Sequence, residues 1–281
     1  MAKTKKNEEE QPIIGETVEL LKDSINEGTS NEKVVNHDHT TIVIPYVKSK
    51  AQGNELLYAL RSIEQNIRFG ANIVVIGDKE EWFSEEITFI EHACISENPQ
   101  IDVAEKLKLA IASEDVTDNF IWTNDDIYLL SPVLLGHLEI PKAKGILDPV
   151  NYNGFYRENM SRTIELLLEN GCSIFDYGTH TPVVYKKHKL VEMFEKNPEL
   201  LTGGYLLSSF YFNWIGFIRP IHLDWKKDAW AISIVSKSPD PALFDTFVAE
   251  KLFLNNAESG YSEWFESKLN ELFPQKSSFE K

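Results

Sequence analysis

A chain of 281 residues that is 42% hydrophobic and 26% charged is composed like a globular protein, not a disordered one. Its 28 Lys+Arg stand against 44 Asp+Glu, a formal net charge of −16. A surface this acidic repels nucleic-acid phosphates and anionic lipid head groups, so neither is a default partner. An anionic ligand is admitted only where a metal ion or a few placed cations reverse the sign.

The first 40 residues read as a charged tail with a Lys/Glu run and a polar stretch. Between them Ile14, Val18, Leu21 and Ile25 fall at helical spacing, one apolar stripe on a short amphipathic helix. That helix packs on its own domain or serves as an arm for a partner or a homo-oligomer. No apolar h-region follows the basic N-terminus, and the longest apolar run, 205–218, is shorter than the roughly 20 residues of a membrane span. The expectation is a soluble, cytoplasmic protein. Cys94 and Cys172 cannot form a disulfide framework and have no zinc-ligand spacing nearby, so two small buried thiols are expected.

From residue 41 strands and helices alternate. TIVIPYV (41–47) is β-branched and bounded by polar residues, a buried strand. Residues 54–67 place Leu57, Leu60, Ile63 and Ile67 on one helical face. NIVVIG (72–77) is a second strand closed by Gly77 and Asp78, and ITFIEHACI (87–95) is a third, followed by a helix over 101–112. FIWT (120–123) is a fourth that runs straight into Asn124-Asp125-Asp126. Such alternation predicts an α/β fold with a mostly parallel sheet and helices on both faces, ligands binding outside the carboxyl ends of the strands. The second half is less regular: helices over 155–170 and 190–196, an ambiguous aromatic run over 205–217, an extended segment around Pro220, and helical patterning over 241–273. Three parts are expected: the tail (1–40), a catalytic domain (41–235) and a C-terminal helical extension (236–281).

The sharpest chemical feature is residues 120–133, FIWTNDDIYLLSPV. Two adjacent carboxylates at the end of a buried strand repel each other, and a divalent cation resolves the cost; hard oxygen ligands suit Mg²⁺ or Mn²⁺. On an extended segment Asn124 and Asp126 face one side and Asp125 the other. An Asx turn capping the strand is the competing reading.

Residues 41–133 resemble the Stealth family of sugar-phosphate transferases, whose fold is related to the GT-A (Rossmann-like) glycosyltransferases. The resemblance is carried by Asn54–Asn66 (NELLYALRSIEQN), by residues 73–78 (IVVIGD), by Glu81-Trp82-Phe83, by FIEH at 89–92 and by FIWTNDDIYL at 120–129, with His180-Thr181-Pro182 further on. It implies a GT-A-like, metal-dependent enzyme acting on a nucleotide sugar. The acidic loop the family carries after its first strand is here Val47-Lys48-Ser49, and its later Phe-Arg element has no equivalent at 208–211. Glycosyl transfer to a glycan or other hydroxyl acceptor is therefore the leading reaction, with sugar-1-phosphate transfer and an inactive sugar-nucleotide-binding module as alternatives.

The expected roles follow. Asp126, Asp125 and His180 are the metal candidates, with Mn²⁺ or Mg²⁺ as cofactor. Asp125, Asp176 and His180 are the catalytic candidates, Asp176 as base or acceptor-binding group. Lys48, Arg61, Asp78 and Asn124 are the contacts expected for the donor. Among the aromatics, the cluster at 152–156 is a candidate sugar-facing loop, and residues 222–231 a candidate lid.

Overall fold

The computed structural model describes residues 39–216, 220–224 and 227–281, which belong to one compact unit, Asp38–Lys281. The amphipathic helix expected near the N-terminus, and Trp225 in the expected lid, lie outside the described residues.

The elements run in this order: β1 (His39–Tyr46), α1 (Glu55–Asn66), β2 (Gly70–Gly77), β3 (Ile87–Glu91), α2 (Pro99–Ala112), β4 (Asn119–Trp122) and β5 (Ile127–Leu129). There follow α3 (Leu135–Glu139), β6 (Lys142–Ala143), α4 (Gly154–Glu169), β7 (Val183–Lys186), α5 (Lys187–Lys196), α6 (Leu207–Trp214) and β8 (Ile221–His222). The chain closes with β9 (Ala231–Ile234), α7 (Pro241–Glu250), β10 (Phe253–Asn256) and α8 (Glu263–Leu272). The central sheet has the order β3-β2-β1-β4-β7, parallel except for β7. A second sheet, β5-β10-β9, and a two-stranded pair, β6-β8, complete it. The mixed, mostly parallel α/β architecture expected from the alternation is the one observed.

The pleat divides the core into two faces. Val43, Val74, Ile76, Phe120 and Trp122 point to one side, where Ala104, Leu107 and Ala110 of α2 cover them. Ile42, Ile44, Ile73, Val75 and Ile121 point to the other, against Leu56, Leu60 and Ile63 of α1. β1 is buried on both faces, which is why it reads as an unbroken apolar run. Gly77, at φ 143°, sits where an added Cβ would lie 1.8 Å from the Tyr46 carbonyl oxygen, so only glycine lets β2 end this close to β1.

Some local expectations need correction. Cys94 is exposed and Cys172 half-buried, so neither thiol is a core residue. The third strand stops at Glu91, short of 95. The ambiguous run at 205–217 contains helix α6. The helical patterning over 241–273 is interrupted by β10, whose four residues are all buried because it is the middle strand of the second sheet. No helix among the described residues is long and apolar enough to cross a membrane.

Candidate active site

Two cavities open at the carboxyl ends of β1 and β4. One, of about 370 Å³, is acidic: Asp125, Asp126, Glu55 and Asp102 line it, with Lys50 and Lys106 as its cations. The other, of about 320 Å³, is lined by hydroxyl and aromatic side chains. Gln100, Val103, Asn124 and His180 belong to both walls, so the two meet there.

The Asn124–Asp126 segment is placed by a change of sheet. β4 ends at Trp122, the Thr123 N–H still donates to Val43 O (3.1 Å), and from Ile127 the chain pairs antiparallel with β10 instead. The turn between them breaks the alternation expected of an extended segment. Asn124, Asp125 and Asp126 all line the acidic cavity. The Asn124 side chain makes no hydrogen bond among the described residues and is free for a ligand at the junction.

The carboxylates carry the electrostatics. Burial, then Asp126 and Glu55, push the Asp125 carboxyl well above the usual carboxylate range. Burial and Glu55 push Asp126 up to about 7. Glu55 is itself raised by burial and fixed at both oxygens, accepting from Asn256 Nδ2 (2.6 Å) and from the Gln52 N–H (2.6 Å). Asn256 in turn accepts from the Tyr128 hydroxyl (2.9 Å), so the C-terminal strand β10 holds the first residue of α1 against the site.

His180 faces Asp126 from the other wall, Nε2 to Oδ2 3.7 Å. It is the only non-glycine residue with positive φ (51°) among the described residues, a conformation uncommon outside glycine and taken mostly by Asn, Asp and His. The surroundings hold it there: Asn255 Nδ2 donates to the His180 carbonyl (3.0 Å), and Thr179 and Thr181 bond each other across it (2.8 Å). The His180 side chain is 45% exposed, and the protein packed on its inner side lowers its pKa from the ordinary imidazole value.

The donor set suits a hard divalent cation. Asp126 Oδ1 is buried with no hydrogen-bond partner, and the charges of Asp126 and Glu55 act against ionisation of Asp125, with Lys106 as the opposing cation. Among the described residues no three His, Cys, Asp or Glu side chains are grouped closely enough to enclose an ion. Of the three expected metal ligands, Asp126 and His180 face each other at 3.7 Å and Asp125 does not complete an ion-holding group with them.

The remaining candidates fall elsewhere. Lys48 Nζ is paired with Glu80 (2.6 Å), and its N–H donates to Asp78 Oδ2 (2.8 Å), so these two expected donor contacts hold each other at the ends of β1 and β2. Arg61 lines neither cavity. Its guanidinium grips Glu280 through two bonds of 2.9 and 2.8 Å and tethers the C-terminal segment to α1. Asp176 is buried behind the second cavity, accepting from the Gly178 N–H (2.8 Å) and 3.4 Å from Lys144 Nζ. Trp122 and Tyr156 line the second cavity, whereas Tyr128 is core.

Lys106 was not anticipated. It is 1% exposed, bonds Asp102 (2.7 Å) and the Tyr46 carbonyl (3.1 Å), and so joins Lys50 in the acidic cavity as a buried cation paired with Asp102. Glu55 and Asn256 were also not singled out for a role. The available signal for Asn255-Asn256 was two amides closing the apolar run LFLNN, the same pattern as FIWTNDD.

No family profile matches the chain, and no curated protein matches it in sequence. Solved structures do match in shape. The galactosyltransferase LgtC, crystallised with donor and acceptor sugar analogs, is 12% identical with a TM-score of 0.50, over 85% of this chain and 97% of that one. The apo form of mouse xyloside xylosyltransferase 1 is 12% identical with a TM-score of 0.40, over 80% of this chain and 99% of that one. The apo WbbM bifunctional glycosyltransferase is 11% identical with a TM-score of 0.44, over 87% and 51%. On the first of these likenesses the fold is that of the GT-A glycosyltransferases.

Proposed function

We propose that this protein is a glycosyltransferase that takes a nucleotide-activated sugar and transfers the sugar to a hydroxyl acceptor, with Mn²⁺ or Mg²⁺ as cofactor. One observation carries the reading: the unpartnered Asp126 Oδ1, beside a second carboxylate, in a cavity at the strand ends of a GT-A fold. Asp126, with His180 3.7 Å from it and Asp125 beside it in the chain, would hold the cation, its remaining coordination coming from the donor and water. When bound, it supplies the positive charge that stabilises a diphosphate leaving group. Lys106 and Lys50 add the cations of the chain itself. Asn124 and Gln100, at the junction of the two cavities, orient the donor at its reacting carbon. There the bond from that carbon to the diphosphate oxygen breaks, the acceptor oxygen bonds to the carbon, and a base or the departing phosphate takes the acceptor proton. Asp176, tied to Gly178 and Lys144, shapes the wall behind the sugar.

The narrower, Stealth-like reaction rests on the sequence resemblance of residues 41–133. Its product separates it, since sugar-1-phosphate transfer releases a nucleoside monophosphate and glycosyl transfer a diphosphate. Incubation of the protein with a panel of nucleotide sugars, Mn²⁺ and simple acceptors is the test. Nucleoside diphosphate is expected from at least one donor. Monophosphate transfers the reading to the Stealth-like reaction, and binding without product leaves only a sugar-nucleotide-binding module.

A further inference from the structure

His180 and Asp126 come from distant parts of the chain, yet one strand sets both. The register of β10 pairs Asn255 with Ile127, the residue after Asp126, and the Asn255 side chain donates from Nδ2 to the His180 carbonyl (3.0 Å). Trp230, just before β9, donates from Nε1 to Thr181 Oγ1 (3.2 Å) and holds the next residue. His180 is thereby pinned at φ 51°. A backbone kept in so sparsely used a conformation points to a role for the side chain it aims.

Asn255 has a second polar atom that the fold does not use. The residue is 0% exposed in the middle strand of its sheet, and its Oδ1 is buried without a hydrogen bond of full geometry. A buried amide oxygen left in that state is costly. The imidazole is the group it acts on: through a hydrogen bond, the Asn255 side chain opposes the lowering that burial imposes on the His180 pKa. An amide does this through its oxygen, its one acceptor, facing a ring N–H. Of the two ring nitrogens, Nε2 lies 3.7 Å from Asp126 Oδ2. Nδ1 is the one nearer the residue's own backbone, whose carbonyl the same amide already holds. A proton on Nδ1 therefore meets Oδ1, and Nε2 keeps a bare lone pair turned toward Asp126.

Resting on the reading that Asp126 and His180 face a divalent cation, we propose that Asn255 is a positioning residue that fixes the tautomer of His180, with the proton on Nδ1 and the lone pair on Nε2, before any ion arrives. A metal-ligating imidazole needs its other nitrogen held in this way. The Asp126 carboxylate acting alone would draw the proton to Nε2 instead, where it would bar a cation. The two arrangements are opposite and can be told apart.

The test is long-range ¹H–¹⁵N NMR of the full chain labelled on histidine, metal-free at about pH 8, where an imidazole is neutral. His180 is assigned by the signal lost in His180→Gln. The wild type is expected to show a protonated Nδ1 and a bare Nε2. Asn255→Ala is expected to move the proton to Nε2 and to weaken Mn²⁺ binding about 10–100-fold by calorimetry. A wild-type spectrum with Nε2 protonated overturns the proposal, and so does an unchanged spectrum or an unchanged Mn²⁺ affinity in Asn255→Ala. The wild-type spectrum needs no variant, so it remains decisive if Asn255→Ala does not fold. If Mn²⁺ does not bind the wild type, the metal reading falls first, and the spectrum alone decides the tautomer.

Discussion

Replacing Asp126 by Asn should make the metal-free protein more stable, and by an amount that depends on pH. Asp126 is raised from an ordinary 3.8 to about 7 by burial and by Glu55. A carboxyl with a raised folded-state pKa binds its proton more tightly in the native than in the unfolded chain. Native stability therefore falls as pH rises from about 4 through about 7, and is lowest above that window. At about 1.4 kcal/mol per pH unit, the difference between 3.8 and about 7 sets an upper bound of about 4 kcal/mol. Asp126 is 19% exposed and interacts with Asp125, so about 1–3 kcal/mol is the expected gain for Asp126→Asn above pH 7. For a chain of this size that corresponds to roughly 2–4 °C per kcal/mol. Urea or thermal unfolding with chelator at pH 4.5 and pH 8 reads it: a small gap at the lower pH and the full gap at the higher. Mn²⁺ should then stabilise the wild type at pH 8 and leave Asp126→Asn unmoved. A variant no more stable than wild type at pH 8, or one with the same gap at both pH values, refutes the electrostatic reasoning.

Other substitutions separate site from scaffold. Arg61→Ala breaks a largely buried ion pair with Glu280 and should cost about 1–3 kcal/mol in urea unfolding, with nucleotide affinity unchanged by calorimetry. Asn256→Ala strands the Glu55 carboxylate and the Tyr128 hydroxyl, so a loss of about 2–4 kcal/mol in unfolding and weaker Mn²⁺ binding are expected together. His180→Gly should be about 1 kcal/mol more stable than His180→Ala, because only glycine is at ease at φ 51°, while both lose Mn²⁺-dependent nucleotide binding.

The first half of the fold was legible because parallel strands buried on both faces announce themselves: β1, β2 and β4 are apolar runs with polar ends. The Asn124–Asp126 segment could be placed at the strand ends for the same reason. What the sequence could not carry is the change of sheet after Thr123. It depends on β10, more than 120 residues later, and turns an expected alternation into a turn that gathers both carboxylates in one cavity. β10 itself hid inside a helical pattern, since four residues are too few for a period of two to stand out. Arg61 shows the reverse limit. Its helix and register were readable, but its partner, Glu280, lies 219 positions away.

The central claim is that the acidic cavity serves sugar transfer from a nucleotide donor. It is tested most directly by following product release from nucleotide sugars by wild type and Asp126→Asn with Mn²⁺ and with chelator. The account predicts nucleoside diphosphate from the wild type with Mn²⁺, and little or none with chelator or with the variant. Turnover that survives both chelation and Asp126→Asn contradicts it, as does the absence of any nucleotide product across the panel.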